Sequence, residues 1–517
     1  LAVINNFNKK YRLYFICFIF AILSFIIIGR MIFIVAYGNK NHVISDYNDK
    51  KDSKRGSIID RNGVILAGDV NTKSLYVKNR LVKNSDQLAL KLARFFNDLN
   101  YQELKLKLEN KTKKDWVLIK RNLSPNQVAQ VKNMHIAGLV FQDDKSRIYP
   151  HKSLLSHVVG YSDIDRNGLS GIELSYNKKL HQGKDIQIAI DVRVQDVLDN
   201  ELRIAMKKYK SKAAAGIIMD VNNGEVIALA SLPNFDPNNK EDINSTNSFN
   251  RIVSGVYELG SVLKILTYAI AFEDNLLNEK EIFYVKDPIK YGKYTIKDDH
   301  YVKDNMNYND IFIHSSNIGT VKIAKKIGAK RQKSFFEDIG FLKKLDSDFV
   351  GLATPIIPKR WSDISLYTIS FGHGIAITPL HLAVGLSAIV NGGNLVSPSF
   401  LKMDDQIIAK KIISQNSSEK IRKLMANAVS DGTGKKAAIK DIAIGGKTGT
   451  AEKAELGSYN KRKTIASFAA AFPIENPEYL IYILFDNSDY IYNSGGMLAA
   501  PIVSNVISKT LMMLHKL

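Results

Sequence analysis

The longest apolar run, residues 13–37, reads LYFICFIFAILSFIIIGRMIFIVAY and is interrupted only by Ser24, Gly29 and Arg30. At roughly 1.5 Å per residue it is long enough to cross a bilayer as one helix. Lys9, Lys10 and Arg12 precede it, so the positive-inside bias puts residues 1–12 in the cytoplasm and everything beyond Tyr37 outside. The run exceeds the apolar core of a signal peptide, which predicts an uncleaved single-pass anchor. Residues 38–52 are polar without periodicity and read as a linker.

Beyond residue 53 the pattern becomes that of a folded protein. Ser57–Asp60 and Val64–Ala67 flank Arg61-Asn62-Gly63, a hairpin signal. Ser85–Asp98 has apolar residues at helical spacing, and Ser124–Lys132 opens with a serine cap followed by proline. Asp185–Asp191 alternates like a strand and hands over to a helix at Val194–Met206. Ala215–Asp220 and Glu225–Ser231 flank Asn222-Asn223-Gly224, a second hairpin. Near the other end Ile442–Thr448, Thr464–Pro473 and Glu478–Asp486 read as strands, followed by an apolar helix over Ala500–Leu514. Strands at both ends with helices between predict an α+β fold: a mixed α/β domain over 53–190, then a second domain over 191–517 with an antiparallel sheet flanked by helices.

Composition narrows the function. The 517 residues are 45% hydrophobic and 24% charged, ordinary for folded protein. Lys+Arg total 72 against 51 Asp+Glu, a net charge of +21. The basic runs Lys51–Lys54, Lys105–Lys114 and Lys435–Lys440 sit among Asn and Ile and read as solvated surface, so no nucleic-acid partner is expected. Cys17 is the single cysteine, which rules out an intrachain disulfide and a four-cysteine zinc site.

Three short motifs carry candidate chemistry. Ser261-Val262-Leu263-Lys264 starts a helical stretch after Gly260, and residues three apart share a helix face. A serine hydroxyl needs a base to become nucleophilic, and a desolvated lysine with a lowered pKa can supply one. Ser315-Ser316-Asn317 follows. Lys447-Thr448-Gly449-Thr450, the one K-T-G in the chain, ends a predicted strand, where a cation and hydroxyls can grip a carboxylate and the glycine would let a ligand approach the backbone. Singly the first two are weak: S-x-x-K recurs at Ser175, Ser399, Ser417 and Ser458, and S-x-N recurs elsewhere. Their order along the chain is that of penicillin-binding proteins and class A β-lactamases.

With these motifs the chain resembles a class B penicillin-binding protein along most of its length. Arg55-Gly56-Ser57-Ile58-Ile59-Asp60-Arg61-Asn62-Gly63 and Gly171-Ile172-Glu173 resemble signatures of the family's non-catalytic pedestal, or dimerisation-like, domain. Ile190-Asp191 with Gln195 resembles the entry to the transpeptidase domain. Asn250-Arg251 with Tyr257–Ser261, Ser370–Gly374 with Thr378-Pro379, and Gly432–Ala437 look most like the septal, cell-division branch, with the elongation branch as the alternative. Leu259 stands where the family often has proline, and Ala470 where glycine is frequent, which raises a question of rigidity and pocket width.

The resemblance implies a metal-free and cofactor-free D,D-transpeptidase in the inner membrane, with its catalytic domain in the periplasm. Its substrates would be peptidoglycan stem peptides ending in D-Ala-D-Ala, its inhibitors β-lactams, and its partners a membrane glycosyltransferase of the SEDS family and other division proteins. Ser261 would be the nucleophile, Lys264 its base and Ser315 a proton relay. Asn317 would hold the substrate amide, Lys447, Thr448, Gly449 and Thr450 the carboxylate end, and the backbone N–H groups of Ser261 and Thr450 the oxyanion. A β-lactamase lacks a pedestal, and 53–190 is too short for the glycosyltransferase domain of a class A enzyme. A catalytically silent scaffold would have no use for five intact reactive residues.

Overall fold

The computed structural model describes residues 14, 18–30, 54–109, 116–292, 294–403, 408–455, 458–488 and 494–514. Contacts divide the chain into Leu1–Lys54 and Arg55–Leu517. In the first unit Phe18–Arg30 is helical with every side chain exposed. The rest of the predicted anchor, apart from Tyr14, and all of residues 1–12 and 38–52 lie outside the described residues.

The second unit begins as the pattern predicts. β1 (Ile58–Ile59) turns into β2 (Ile65–Lys78) in antiparallel register. Asp60 Oδ1 closes the turn by accepting the backbone N–H of Asn62 and Val64, both at 2.8 Å. After α1 (Ser85–Phe95) and α2 (Tyr101–Glu109) come β3 (Trp116–Leu123), α3 (Pro125–Asn133) and β4 (Leu139–Ile148). β3 and β4 pair antiparallel with β2 along its two edges. The Ser124 side chain and Gln127 form a reciprocal capping box at α3, with Pro125 in the first turn. Leu75, Val77, Leu88, Leu92, Leu104, Leu108 and Ile119 make a core of their own between sheet and helices.

Below this core lies a buried ionic knot. Arg55 donates to Glu173 Oε2 from Nε at 2.9 Å and from Nη2 at 2.6 Å, with both side chains fully buried. Arg147 Nε reaches Glu173 Oε1 at 2.6 Å, and its Nη1 reaches Asp69 at 3.3 Å and the Gly56 carbonyl at 2.9 Å. The two pedestal signatures, far apart in sequence, therefore meet as the two halves of one salt bridge.

The expected strand over Asp185–Asp191 is broken up. Only β5 (Ile186–Gln187) is regular, parallel to β1. Ala189 then donates to Phe400 and Asp191 to Ile227. Burial alternates only as far as Ile188, Ile188–Asp191 are all buried, and successive residues bond to different segments.

From α4 (Val192–Lys208) onward the chain builds a large antiparallel sheet. Its strands are β6 (Ser211–Asp220) and β7 (Val226–Leu232), then, after α5 (Lys264–Glu273), α6 (Asn317–Ile327), α7 (Pro379–Val390) and α8 (Gln415–Ser430), the strands β8 (Gly445–Glu455), β9 (Ser458–Phe472) and β10 (Tyr479–Ser488). The spatial order is β8-β9-β10-β6-β7. α9 (Gly495–Leu514) follows. Ile218, Phe468, Ala470, Ile481, Ile483 and Phe485 pack with α4 and α9 on one face. Ile217, Met219, Ala469, Leu480, Tyr482 and Leu484 pack with α5 and α7 on the other. Burial on both faces makes these strands continuous apolar runs rather than alternating ones. Ala470 thus lies on the α9 face, opposite its partner Gly446 and one residue from the Lys447–Ala469 pair. Its methyl group is fully buried in that core and is not among the residues that line the cleft at Ser261.

Among the described residues, α9 is the one helix long and apolar enough to cross a membrane. Leu498, Ala499, Ile502, Val503, Val506 and Ile507 are buried against the sheet, which makes it a core helix of this unit.

Replacing Glu173 by Ala leaves Arg55 and Arg147 buried without their carboxylate, at an expected cost of about 3–5 kcal/mol. Thermal unfolding of the variant should show a midpoint several degrees below that of the parent chain; an unchanged midpoint would contradict the knot's structural weight.

Candidate active site

The nucleophile candidate sits where three backbones converge. Gly260–Leu263 forms a 3₁₀ turn leading into α5 at Lys264. Side chains three apart eclipse in such a turn, which sets Ser261 and Lys264 on one side. Gly260 has φ +60°, and a Cβ there would lie 2.4 Å from the Thr450 carbonyl oxygen. Gly372, at φ +94°, would place its Cβ 1.9 Å from the Gly260 carbonyl oxygen, and Gly260 N–H donates to Gly372 O at 3.1 Å. No side chain fits at either position. Leu259, in the place of the family's proline, is 1% exposed and anchors the turn in the core.

Gly449 works in the same way. Its missing Cβ would meet Ser467 Oγ at 2.4 Å and Val262 at 2.6 Å. A Cβ there would point inward, and the smallness of Gly449 lets β8 lie against the nucleophile turn.

Ser315 lies between the short helix Tyr308–Ile313 and α6, with φ +61°. A non-glycine residue in the left-handed region is strained, and such strain collects at functional sites. Asp298, which the motif search missed, holds the turn. Its Oδ2 accepts from Ser316 Oγ at 2.6 Å, and its Oδ1 accepts from the backbone N–H of Asn317 at 2.5 Å and of Ile318 at 2.9 Å. Ser316 Oγ in turn accepts from Gly319 N–H as the cap of α6. A carboxylate at a helix N-terminus is favourable in its own right.

Two buried amines converge on Ser315. Lys264 Nζ lies 3.1 Å from Ser315 Oγ, 2.6 Å from Ser315 O and 2.8 Å from Asn317 Oδ1. Lys447 Nζ lies 2.8 Å from the same Oγ and 3.3 Å from Thr448 Oγ1. Both lysines are 0% exposed. Burial pushes Lys264 down to about 7, with Asp298 and Asp299 pulling weakly the other way. Lys447 is lowered well below its ordinary value, first by burial and then by the charge of Lys264. Removing a cation from water without a counter-ion is what drives both shifts. His373, behind Gly372, is pushed down to about 4 by burial and then by Lys264.

Asn317 Nδ2 donates to Lys297 O at 3.1 Å, which commits one of its two N–H groups. Thr448 and Thr433 hydroxyls are 3.0 Å apart, and Thr450 Oγ1 accepts from Gly495 N–H at 3.2 Å. Ser261, Ser315, Thr448 and Thr450 line a cleft of about 290 Å³, together with Asp299 and Lys436. Lys264, Asn317, Lys447 and Gly449 lie behind that surface.

The competing S-x-x-K serines are accounted for elsewhere. Ser175 Oγ accepts from Val350 N–H, Ser399 Oγ donates to Leu401 O, and Ser417 bonds with Ser414 at the start of α8. Ser458 lies in a segment whose side chains are not described. The cleft therefore presents the Ser261 hydroxyl, on the side of its turn shared with the buried Lys264 amine of near-neutral pKa, together with the Thr448 and Thr450 hydroxyls and the Lys435 and Lys436 cations that can receive an anion.

Two family models match the chain: the penicillin binding protein transpeptidase domain over residues 214–508 and the penicillin-binding protein dimerisation domain over residues 50–208. A Caulobacter vibrioides protein named as a probable peptidoglycan D,D-transpeptidase FtsI is 31% identical over 90% of this chain and 82% of its own length. Stage V sporulation protein D of Bacillus subtilis is 28% identical over 98% of this chain and 86% of its own. A Neisseria meningitidis protein named as a probable peptidoglycan D,D-transpeptidase PenA is 30% identical over 88% and 84%. A crystal structure of an Atopobium parvulum protein superposes with a TM-score of 0.70 at 22% identity, covering 90% of this chain and 98% of that one; at that identity the likeness shows the fold.

Asp298→Ala removes three hydrogen bonds from the turn that carries Ser315. Hydrogen exchange of the peptide spanning residues 315–319 should quicken, with a stability loss of about 1–3 kcal/mol. Unchanged exchange there would show that the turn holds itself.

Proposed function

The chain belongs to the class B penicillin-binding proteins and is a serine-type D,D-transpeptidase, and from that premise we propose that it cross-links peptidoglycan stem peptides through an acyl-enzyme on Ser261, at the septum of a dividing cell. The observation that carries the catalytic assignment is the pair of buried amines on Ser315 Oγ beside the Ser261 turn.

In the proposed reaction Ser261 Oγ attacks the carbonyl of the penultimate D-Ala and its proton passes to neutral Lys264. The C–N bond to the terminal D-Ala breaks, and that amine takes its proton through Ser315, which can donate to one amine while accepting from the other. An amine of a second stem peptide then attacks the ester, forms the cross-link and returns Ser261 to the hydroxyl. Lys447, Thr448 and Thr450 hold the terminal carboxylate. Ser261 and Thr450 N–H groups receive the oxyanion. Asn317 aligns Lys264 through Oδ1 and offers its second N–H to the substrate. β-Lactams would acylate the same serine.

The septal assignment is supported by the septal-type motifs and by relatives named FtsI in Caulobacter vibrioides and Escherichia coli. The exposed apolar helix Phe18–Arg30 supports an N-terminal anchor with residues 1–12 inside, residues 38–52 as linker, the pedestal over 53–190 and the transpeptidase domain over 191–517. The pedestal and anchor would recruit a SEDS-family glycosyltransferase and other division proteins.

Mass spectrometry of the full chain treated with penicillin should find the penicilloyl adduct on Ser261 and none in Ser261→Ala; an adduct on Ser175, Ser399, Ser417 or Ser458 would refute the assignment. Because the base must be neutral, acylation should be slow at pH 5, rise through a midpoint near 7 and level off above pH 8; a rate independent of pH across that range would exclude Lys264 as base. Depletion in the parent organism should give unseparated filaments, whereas loss of rod shape with normal septa would favour the elongation branch and rescue by Ser261→Ala a scaffold role. Reporters fused after Tyr37 should be active only if they are of a kind that requires export; a mature chain beginning near Gly38 would contradict the anchor.

A further inference from the structure

The basic run Lys435–Lys440 reads as solvated surface in the sequence, yet its first two members line the cleft. They stand on a short 3₁₀ turn, Lys435–Ala437, that is tied down on every side. Thr433 N–H donates to Ile313 O at 3.2 Å and Gly434 N–H to Ala428 O at 2.9 Å, while Ala437 is fully buried against α9. The turn adjoins the carboxylate end of the site through the 3.0 Å contact of Thr433 with Thr448. Both lysines are exposed, and among the described residues neither forms an ion pair; Lys436 Nζ touches only the weak acceptor Met497 Sδ at 3.0 Å. Asp298 and Asp299 line the same cleft. The two lysines thus place positive charge on the turn that Thr433 joins to Thr448.

We infer that Lys435 and Lys436 are specificity-determining residues that draw the free terminal carboxylate of the stem peptide, or of a β-lactam, into the K-T-G side of the cleft. The inference rests on the transpeptidase reading of this cleft and adds to it the two residues that weight binding toward an anionic end. Their action is long-range: each contributes attraction before contact, stronger at low ionic strength and lost as salt screens it. It therefore falls on the encounter complex and leaves the bond-making step alone.

The test is the kinetics of acylation of the full chain by benzylpenicillin, as a second-order rate at limiting ligand and a first-order rate at saturation, between about 20 mM and 500 mM salt. Lys435→Gln/Lys436→Gln should lower the second-order rate about threefold to tenfold at low salt, converge on the parent at high salt and keep the saturating rate. The charge-preserving pair Lys435→Arg/Lys436→Arg should restore the parent rate and its salt dependence. A neutral pair with the parent's rate and salt slope would overturn the inference, as would an equal loss at all salt concentrations, which marks a structural defect. A parent chain that takes no label would instead overturn the Ser261 reading and carry the inference with it, an outcome distinct from a labelled chain indifferent to the two lysines.

Discussion

Two lysine amines, both without solvent exposure, share one serine hydroxyl, and the rest of the architecture is arranged around that costly placement. Burial disfavours the ammonium form of both, bringing Lys264 down to about 7, and the charge of Lys264 lowers Lys447 further. The energy spent on burial is what makes one amine a base. It also makes the intervening hydroxyl a bridge along which a proton can move either way.

Holding the pair requires rigid backbone on three sides. The sheet supplies one side, because β8 carries Lys447 and is fixed by full pairing with β9. α5 supplies the second, with Lys264 at its first turn and eight consecutive buried residues behind it. Asp298 supplies the third by fastening the strained Ser315 turn to the start of α6. Gly260 and Gly372 let these pieces close to backbone contact, so rigidity at the site comes from positions where no side chain fits. The pedestal is secured in the same style, by Arg55, Arg147 and Glu173 rather than by apolar area alone.

Much of this was legible in the sequence, for physical reasons that also mark where legibility ended. Hairpins with Asn-Gly turns, the Ser124–Pro125 helix start and the strands of the large sheet follow from local chemistry and hydrophobic runs. The order of S-x-x-K, S-x-N and K-T-G picked out Ser261, Lys264, Ser315, Asn317 and Lys447, which the fold brings together. Local pattern could not show that Asp185–Asp191 bonds to three different segments, or that Ala470 faces α9, because partner choice is tertiary. Asp298 went unnoticed since a capping carboxylate 18 to 20 residues before the groups it caps has no signature. A glycine in a strand signals close approach, and only the three-dimensional arrangement shows that Gly449 lies against Ser467 and Val262. Lys435 and Lys436 look like any basic run until the fold sets them on the wall of the cleft.

The most direct test of this account is the titration of the Lys264 side chain, followed by NMR of the full chain carrying ¹³C-labelled lysine and assigned by comparison with Lys264→Arg. The account predicts a lysine resonance that titrates with a midpoint near 7 and disappears in the variant. A Lys264 that remains an ammonium up to pH 10 would contradict it.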